Sequence, residues 1–167
     1  QIALELGKIV EEHLKDVKVI YTRSKDEFIG LKERASLANK NGADLFISIH
    51  CNAVDNNPDR SYGTETWVMG LHKSQDNFEI AKRENSVILL EENNAEKYEG
   101  FDPNDPESYI LFSLSQNAYL SNSLKLADKI ETQFEDRVGR YSRGVKQAGF
   151  LVLWKTTMPS VLIETGF

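Results

Sequence analysis

ADLFISIHCNA, residues 43–53, decides the fold. Leu45, Phe46, Ile47 and Ile49 form a short run that is apolar on both faces, as expected of a central strand covered by helices. The run delivers His50 and then breaks at Cys51-Asn52. An imidazole at the end of a buried strand is either a core histidine satisfied by a backbone carbonyl or a metal ligand or base at the lip of a cleft. In sheets packed with helices, ligands collect beyond the carboxyl ends of the strands, which is where His50 stands.

Upstream, Ile2, Leu6, Ile9, Val10 and Leu14 make a helical stripe. The pattern has no N-cap, so residues are expected before Gln1. Val17–Thr22 alternates as a strand. Ser24 and Glu27 read as a capping box leading into a helix with Leu31, Ala35 and Ala38 on one face. Asn39-Lys40-Asn41-Gly42 ends that helix. The resulting strand–helix–strand order predicts an α/β domain.

Downstream, Asp55-Asn56-Asn57-Pro58-Asp59 reads as a turn and Tyr62–Met69 as a strand. A helix is predicted over about 77–92. Residues 91–107, EENNAEKYEGFDPNDPE, read as an exposed loop whose spacing does not fit a calcium site. A long helical region follows from about Glu107, with Leu120, Leu124, Ala127, Ile130 and Phe134 on one face. Arg137, Arg140, Arg143 and Lys146 cluster within an otherwise acidic chain. They form either a solvated loop or an anchor for a carboxylate-bearing substrate. Phe150–Leu153 and Ser160–Ile163 complete the predicted strands.

The second strand end of interest is VLIETGF, residues 161–167. Val161-Leu162-Ile163 ends in Glu164, and a carboxylate at the tip of a buried strand costs free energy unless it is solvated, paired or metal-bound. If the two strand ends meet, an imidazole and a carboxylate converge as zinc hydrolysis requires. The alternative is two unrelated polar strand ends facing solvent.

Bulk properties narrow the function. The chain has 167 residues, with 40% hydrophobic and 28% charged, the make-up of one globular domain. A formal net charge of −6 argues against a nucleic-acid partner. No apolar run is long enough for a transmembrane segment. The single cysteine, Cys51, excludes an internal disulfide and is expected to be a small packed residue.

TRSKDEFIGLKERASLANKNGADLFISIHCNA (22–53), GTETWVMG (63–70) and MPSVLIETGF (158–167) together resemble the zinc-dependent N-acetylmuramoyl-L-alanine amidases of the AmiC type. The resemblance covers nearly the whole chain. It implies a single catalytic domain over 1–167, lacking its N-terminal part, with a twisted mixed sheet and helices on both faces. The implied reaction is hydrolysis of the amide between the lactyl group of N-acetylmuramic acid and L-alanine of the peptidoglycan stem, with Zn2+ as cofactor, outside the cytoplasm.

By residue-to-residue match, His50 takes the place of the zinc histidine in the S-I-H motif. Glu164 takes that of the catalytic glutamate in E-T-G-F. The family's other zinc ligands, in a G-H-G-G loop and before the first helix, are expected upstream of Gln1. His13, on a solvated helix face, and His72, in a loop, are poor substitutes. Residues 1–167 alone are therefore expected to be inactive. Asn52 and Arg143 are candidate substrate contacts. The segment at about 77–121 resembles the insertion that carries an inhibitory helix in division-associated members. Glu91 or Glu92 would be the blocking ligand and an activator protein the means of release. Competing readings are another zinc amidohydrolase and a non-catalytic cell-wall binding or regulatory module.

Overall fold

The computed structural model describes residues 1–53, 62–114 and 118–166. The expected turn at Asp55–Asp59 lies outside the described residues. Apolar strands and amphipathic helices sort into two layers around a four-stranded sheet. The strands are β1 (Phe46–His50), β2 (Thr64–Met69), β3 (Ser142–Ala148) and β4 (Ser160–Glu164), in the order β1-β4-β2-β3. β1 runs parallel to β4, β2 parallel to β3, and β2 antiparallel to β4, so the sheet is mixed, as expected.

Alternation along each strand gives the sheet two different faces. Val68, Val161 and Ile163 pack with Ala127 on one face, together with Leu120, Leu124, Ile130 and Phe134. The helical residues belong to α6 (Leu120–Asp136), whose apolar stripe is the one read from the sequence. Phe46, Trp67, Met69, Ala148 and Leu162 point the other way into the larger core. That core is closed by α2 (Leu31–Lys40) through Leu31 and Ala38, α3 (Gln75–Asn85) through Phe78 and Ala81, and α5 (Pro106–Leu114) through Tyr109. α1 (Ile2–His13) buries only Gly7, against which Tyr21 stacks so closely that a β-carbon there would collide with its hydroxyl.

A buried carboxylate ties α6 to the sheet. Glu131 accepts hydrogen bonds from the hydroxyls of Thr64 (3.0 Å), Thr66 (2.6 Å) and Ser142 (2.6 Å). These bonds bridge β2 and β3 where their register shifts between Thr64 and Thr66.

Several sequence expectations are corrected. Val17–Thr22 is not a strand: it pairs with none of the four, and its Val19 N–H donates instead to the Glu11 carboxylate of α1. The Ser24/Glu27 box does not start a helix, because α2 begins at Leu31 with Gly30 as its N-cap. Its end was legible: Gly42 takes φ +59° just beyond the Asn41 C-cap. The helix predicted over 77–92 is α3, capped by Ser74, followed by a 3-10 turn at Ser86–Leu90. Residues 91–107 are not merely an exposed loop, since they contain α4 (Asn94–Lys97) and bury Tyr98 and Phe101. The basic segment after α6 becomes β3, while Phe150–Leu153 forms a 3-10 turn instead of a strand.

Candidate active site

The β1–β4 ladder brings the two strand ends together. His50 and Glu164 are Cα partners in its last register pair. The chains stay joined past the strands: Thr165 N–H donates to His50 O (3.0 Å), and Asn52 N–H to Gly166 O (2.7 Å). Ser48 and His50 share the face of Phe46, so the imidazole lies on the face opposite α6, against Ser48 Oγ at 3.0 Å from Nε2.

A third group arrives from α3. Glu84 Oε2 lies 2.9 Å from His50 Nδ1. One donor atom each from His50, Glu84 and Glu164 falls within 4.8 Å of the others. Imidazole nitrogen with carboxylate oxygens is a donor set suited to zinc or a similar divalent ion. The charge state of the site supports that fit. Both oxygens of Glu164 are buried and lack a hydrogen-bond partner, which is the environment a cation would relieve. Burial pushes the Glu164 carboxyl up to about 7; Glu84 and Glu65 push it the same way, against His50 and Arg83. For Glu84, burial acts upward too, but the hydrogen bond and charge of His50, with Arg83, hold it below its usual value.

Beside this group lies a second network, centred on Glu65 of β2. Glu65 is 1% exposed and is the antiparallel partner of Glu164. Its carboxylate accepts from Asn52 Nδ2 (2.9 Å), Arg143 Nε (3.1 Å) and Lys146 Nζ. Lys146 also stands over the Trp67 ring. Asn52 Oδ1 in turn accepts from Arg83 Nη2 (2.6 Å), which ties α3 to the loop after β1.

Of the residues singled out in the sequence, His50 and Glu164 meet directly. Asn52 and Arg143 join them through Glu65. Glu91 and Glu92 stand apart from this group: Glu91 accepts from Tyr98 (2.7 Å) and Lys97 (3.3 Å), and both acids line a pocket of about 360 Å³ with Phe28, Gly30, Glu33, Leu90 and Lys97. Cys51 is exposed rather than packed, with Sγ 3.5 Å from the Thr165 hydroxyl, because its side chain points away from that of His50. His13 is exposed on α1, as expected. His72 is in a loop, but its ring is partly buried between Phe78 and Tyr109.

Sequence reasoning missed Glu84, Arg83 and Glu65. Glu65 carried a signal, because in TETWVM it shares the parity of Trp67 and so had to point inward. Glu84 carried none, since an acid near a helix end is ordinarily a solvated residue.

Comparison with known proteins agrees with this geometry. The family model described as N-acetylmuramoyl-L-alanine amidase matches residues 1–167. The chain is 34% identical over 169 residues to the amidase AmiA of Escherichia coli K12, covering 99% of this chain and 55% of that protein. It is 30% identical to AmiC of Escherichia coli O6:H1, covering all of this chain and 38% of that one. The chain therefore spans about half, or less, of these curated relatives. Among solved structures, the N-acetylmuramoyl-L-alanine amidase of Clostridium difficile 630 superposes with a TM-score of 0.64 at 28% identity, over 99% of this chain and 63% of that one. A strand-end histidine and glutamate in register, a fold shared with amidase catalytic domains and a match along the whole chain make this protein a member of the N-acetylmuramoyl-L-alanine amidase family.

Proposed function

We propose that the protein carrying this chain is a zinc-dependent peptidoglycan amidase acting outside the cytoplasm, where its substrate lies. The observation that carries the reading is the juxtaposition of His50 with a buried, unpartnered Glu164. His50 holds the ion, together with ligands that the family resemblance places upstream of Gln1. Zinc bound there supplies Lewis acidity towards the scissile carbonyl.

The chain's own residues do the rest. Glu164, with a carboxyl near neutrality, is matched to taking a proton from the attacking water and returning it to the departing amine of L-alanine. Asn52, anchored by Glu65 and Arg83, is the residue that orients substrate.

The reading includes a resting state. Glu84 reaches His50 from α3, within the helical insertion at about 77–121, with Oε2 2.9 Å from Nδ1, and on this reading it stands in the way of substrate. On this reading Glu84, rather than Glu91 or Glu92, is the blocking group. An activator that draws α3 away would shift the population to the open state, at a cost of a few kcal/mol of differential binding. In the described residues, no helix is long and apolar enough to cross a membrane. The test is product analysis: zinc-loaded protein should release whole stem peptides beginning at L-alanine from intact peptidoglycan. Cleavage within the peptide or the glycan would contradict the reading.

A further inference from the structure

Resting on the reading of Glu84 as a blocking group, we propose that Arg83 is the latch of the resting state: one guanidinium holds Glu84 in place and also occupies the Asn52 oxygen through which substrate is oriented. Both contacts belong to the last turn of α3. Glu84 Oε2 meets His50 Nδ1 at 2.9 Å, and Arg83 Nε lies 3.4 Å from Glu84 Oε1, so both oxygens of the blocking carboxylate are engaged. The same guanidinium crosses to the loop after β1, where Nη1 donates to Ala53 O (2.5 Å) and Nη2 to Asn52 Oδ1 (2.6 Å).

Asn52 is buried, and its amide oxygen is fully used. Nδ2 donates to Glu65 Oε1 (2.9 Å), while Oδ1 accepts from the Ala53 N–H (2.9 Å) as well as from Arg83. Two donors on one side and a carboxylate on the other fix which way the amide faces. A carbonyl oxygen has two lone pairs, and with Arg83 seated both are taken. An amide N–H of the substrate therefore competes with Arg83 Nη2 for one oxygen. Once the guanidinium withdraws, Asn52 stays anchored by Glu65 and Ala53 and has one acceptor position open. Unblocking His50 and freeing Asn52 are thus a single event.

The rest of α3 is fastened differently. Phe78 and Ala81 are buried in the core, and Asn85, also buried, donates to Gly149 O (2.8 Å) and accepts from the Leu151 N–H (2.9 Å). The Arg83 and Glu84 side chains are 35% and 24% exposed, so their contacts are the part of the attachment that water or a partner protein can replace at small net cost. Substrate binds only the open form, so its apparent affinity is reduced by the fraction of the protein that is open. Loosening the latch raises that fraction. It acts on KM and leaves the chemistry of Glu164 alone.

The experiment measures kcat and KM of the full-length zinc-loaded protein on a soluble muramoyl peptide, beside its Arg83→Ala, Arg83→Lys and Glu84→Ala variants. Arg83→Ala should lower KM about tenfold, the scale of one charge-assisted hydrogen bond, with kcat little changed. Arg83→Lys, which keeps one charged donor, should fall between. Arg83→Gln, which keeps most of the side chain and loses the charge, should repeat the fall in KM even where truncation to alanine impairs folding. A merely structural arginine would lower the melting temperature and kcat without lowering KM, and that result would overturn the latch. Unchanged KM in Arg83→Ala beside a lowered KM in Glu84→Ala would overturn the latch and leave the blocking reading intact. Unchanged KM in both would overturn the blocking reading and the latch with it. Cleavage of the muramoyl–alanine bond by none of them would overturn the amidase reading as well.

Discussion

His50 and Glu164 are the last Cα partners of the parallel β1–β4 ladder, so one register choice puts an imidazole and a buried carboxylate side by side. A slip of β1 by one residue would turn His50 to the opposite face of the sheet, away from Glu164. The register is held on both sides of the pair, by Phe46 N–H to Pro159 O at 3.0 Å and by Thr165 N–H to His50 O at 3.0 Å.

If His50 holds the metal, His50→Ala should weaken zinc binding by more than about a hundredfold. Loss of a residue that merely orients a ligand already costs about 10–100-fold. Competition with a chromophoric chelator measures this directly, and unchanged affinity would place the metal elsewhere.

The pH dependence of the metal-free protein follows from Glu164. In the unfolded chain this carboxyl titrates near its ordinary value of 4.5, and in the folded protein at about 7. Between these values the folded state binds more protons than the unfolded state. Stability from this group is therefore fully present below pH 4.5 and is lost as pH rises through 7. The linked change is on the order of 3 kcal/mol. Urea unfolding of chelator-treated protein at the two ends of the window should show it, and Glu164→Gln should remove that component.

Glu84 separates a blocking group from a required ligand. If it blocks, Glu84→Ala in the zinc-loaded full-length protein should raise basal hydrolysis several-fold without lowering the bound zinc stoichiometry. Dye release from labelled peptidoglycan, with metal analysis alongside, reads both quantities. A fall in both would make Glu84 a ligand instead.

Glu131 is a purely structural buried acid. Glu131→Ala strands three hydroxyls and breaks the link between α6 and the β2–β3 pair. Hydrogen bonds to a charged group contribute about 1.5–3 kcal/mol each, but the three are not additive. A net loss of about 2–4 kcal/mol in chemical denaturation is expected, with the metal affinity of folded protein retained.

Much of this arrangement was legible because it rests on short-range pattern. The apolar runs ending in His50 and Glu164 announced their strands, and the stripe from Leu120 to Phe134 announced α6. Gly42 marked a helix end because its positive φ suits a residue without a side chain. What failed depended on distant partners. Val17–Thr22 has strand composition, yet among the described residues it pairs with no strand, and composition without a partner makes no ladder. Ser142–Ala148 looks like a solvated basic loop, and becomes a strand because Glu65 and Glu131 neutralise and tether it from either face of the sheet. Glu84 enters the site because α3 is held there by distant partners, Arg83 on Asn52 and Ala53 and Asn85 on Gly149, contacts no local pattern encodes.

The most direct test of the central claim is mass spectrometry of intact peptidoglycan digested by the zinc-loaded full-length protein beside its Glu164→Gln variant. The predicted result is free stem peptides beginning at L-alanine from the unaltered protein, with release from the variant lower by at least about a hundredfold, the scale of lost general base catalysis. Equal release from the variant would contradict the role assigned to Glu164, and products cut at any other bond would contradict the amidase itself.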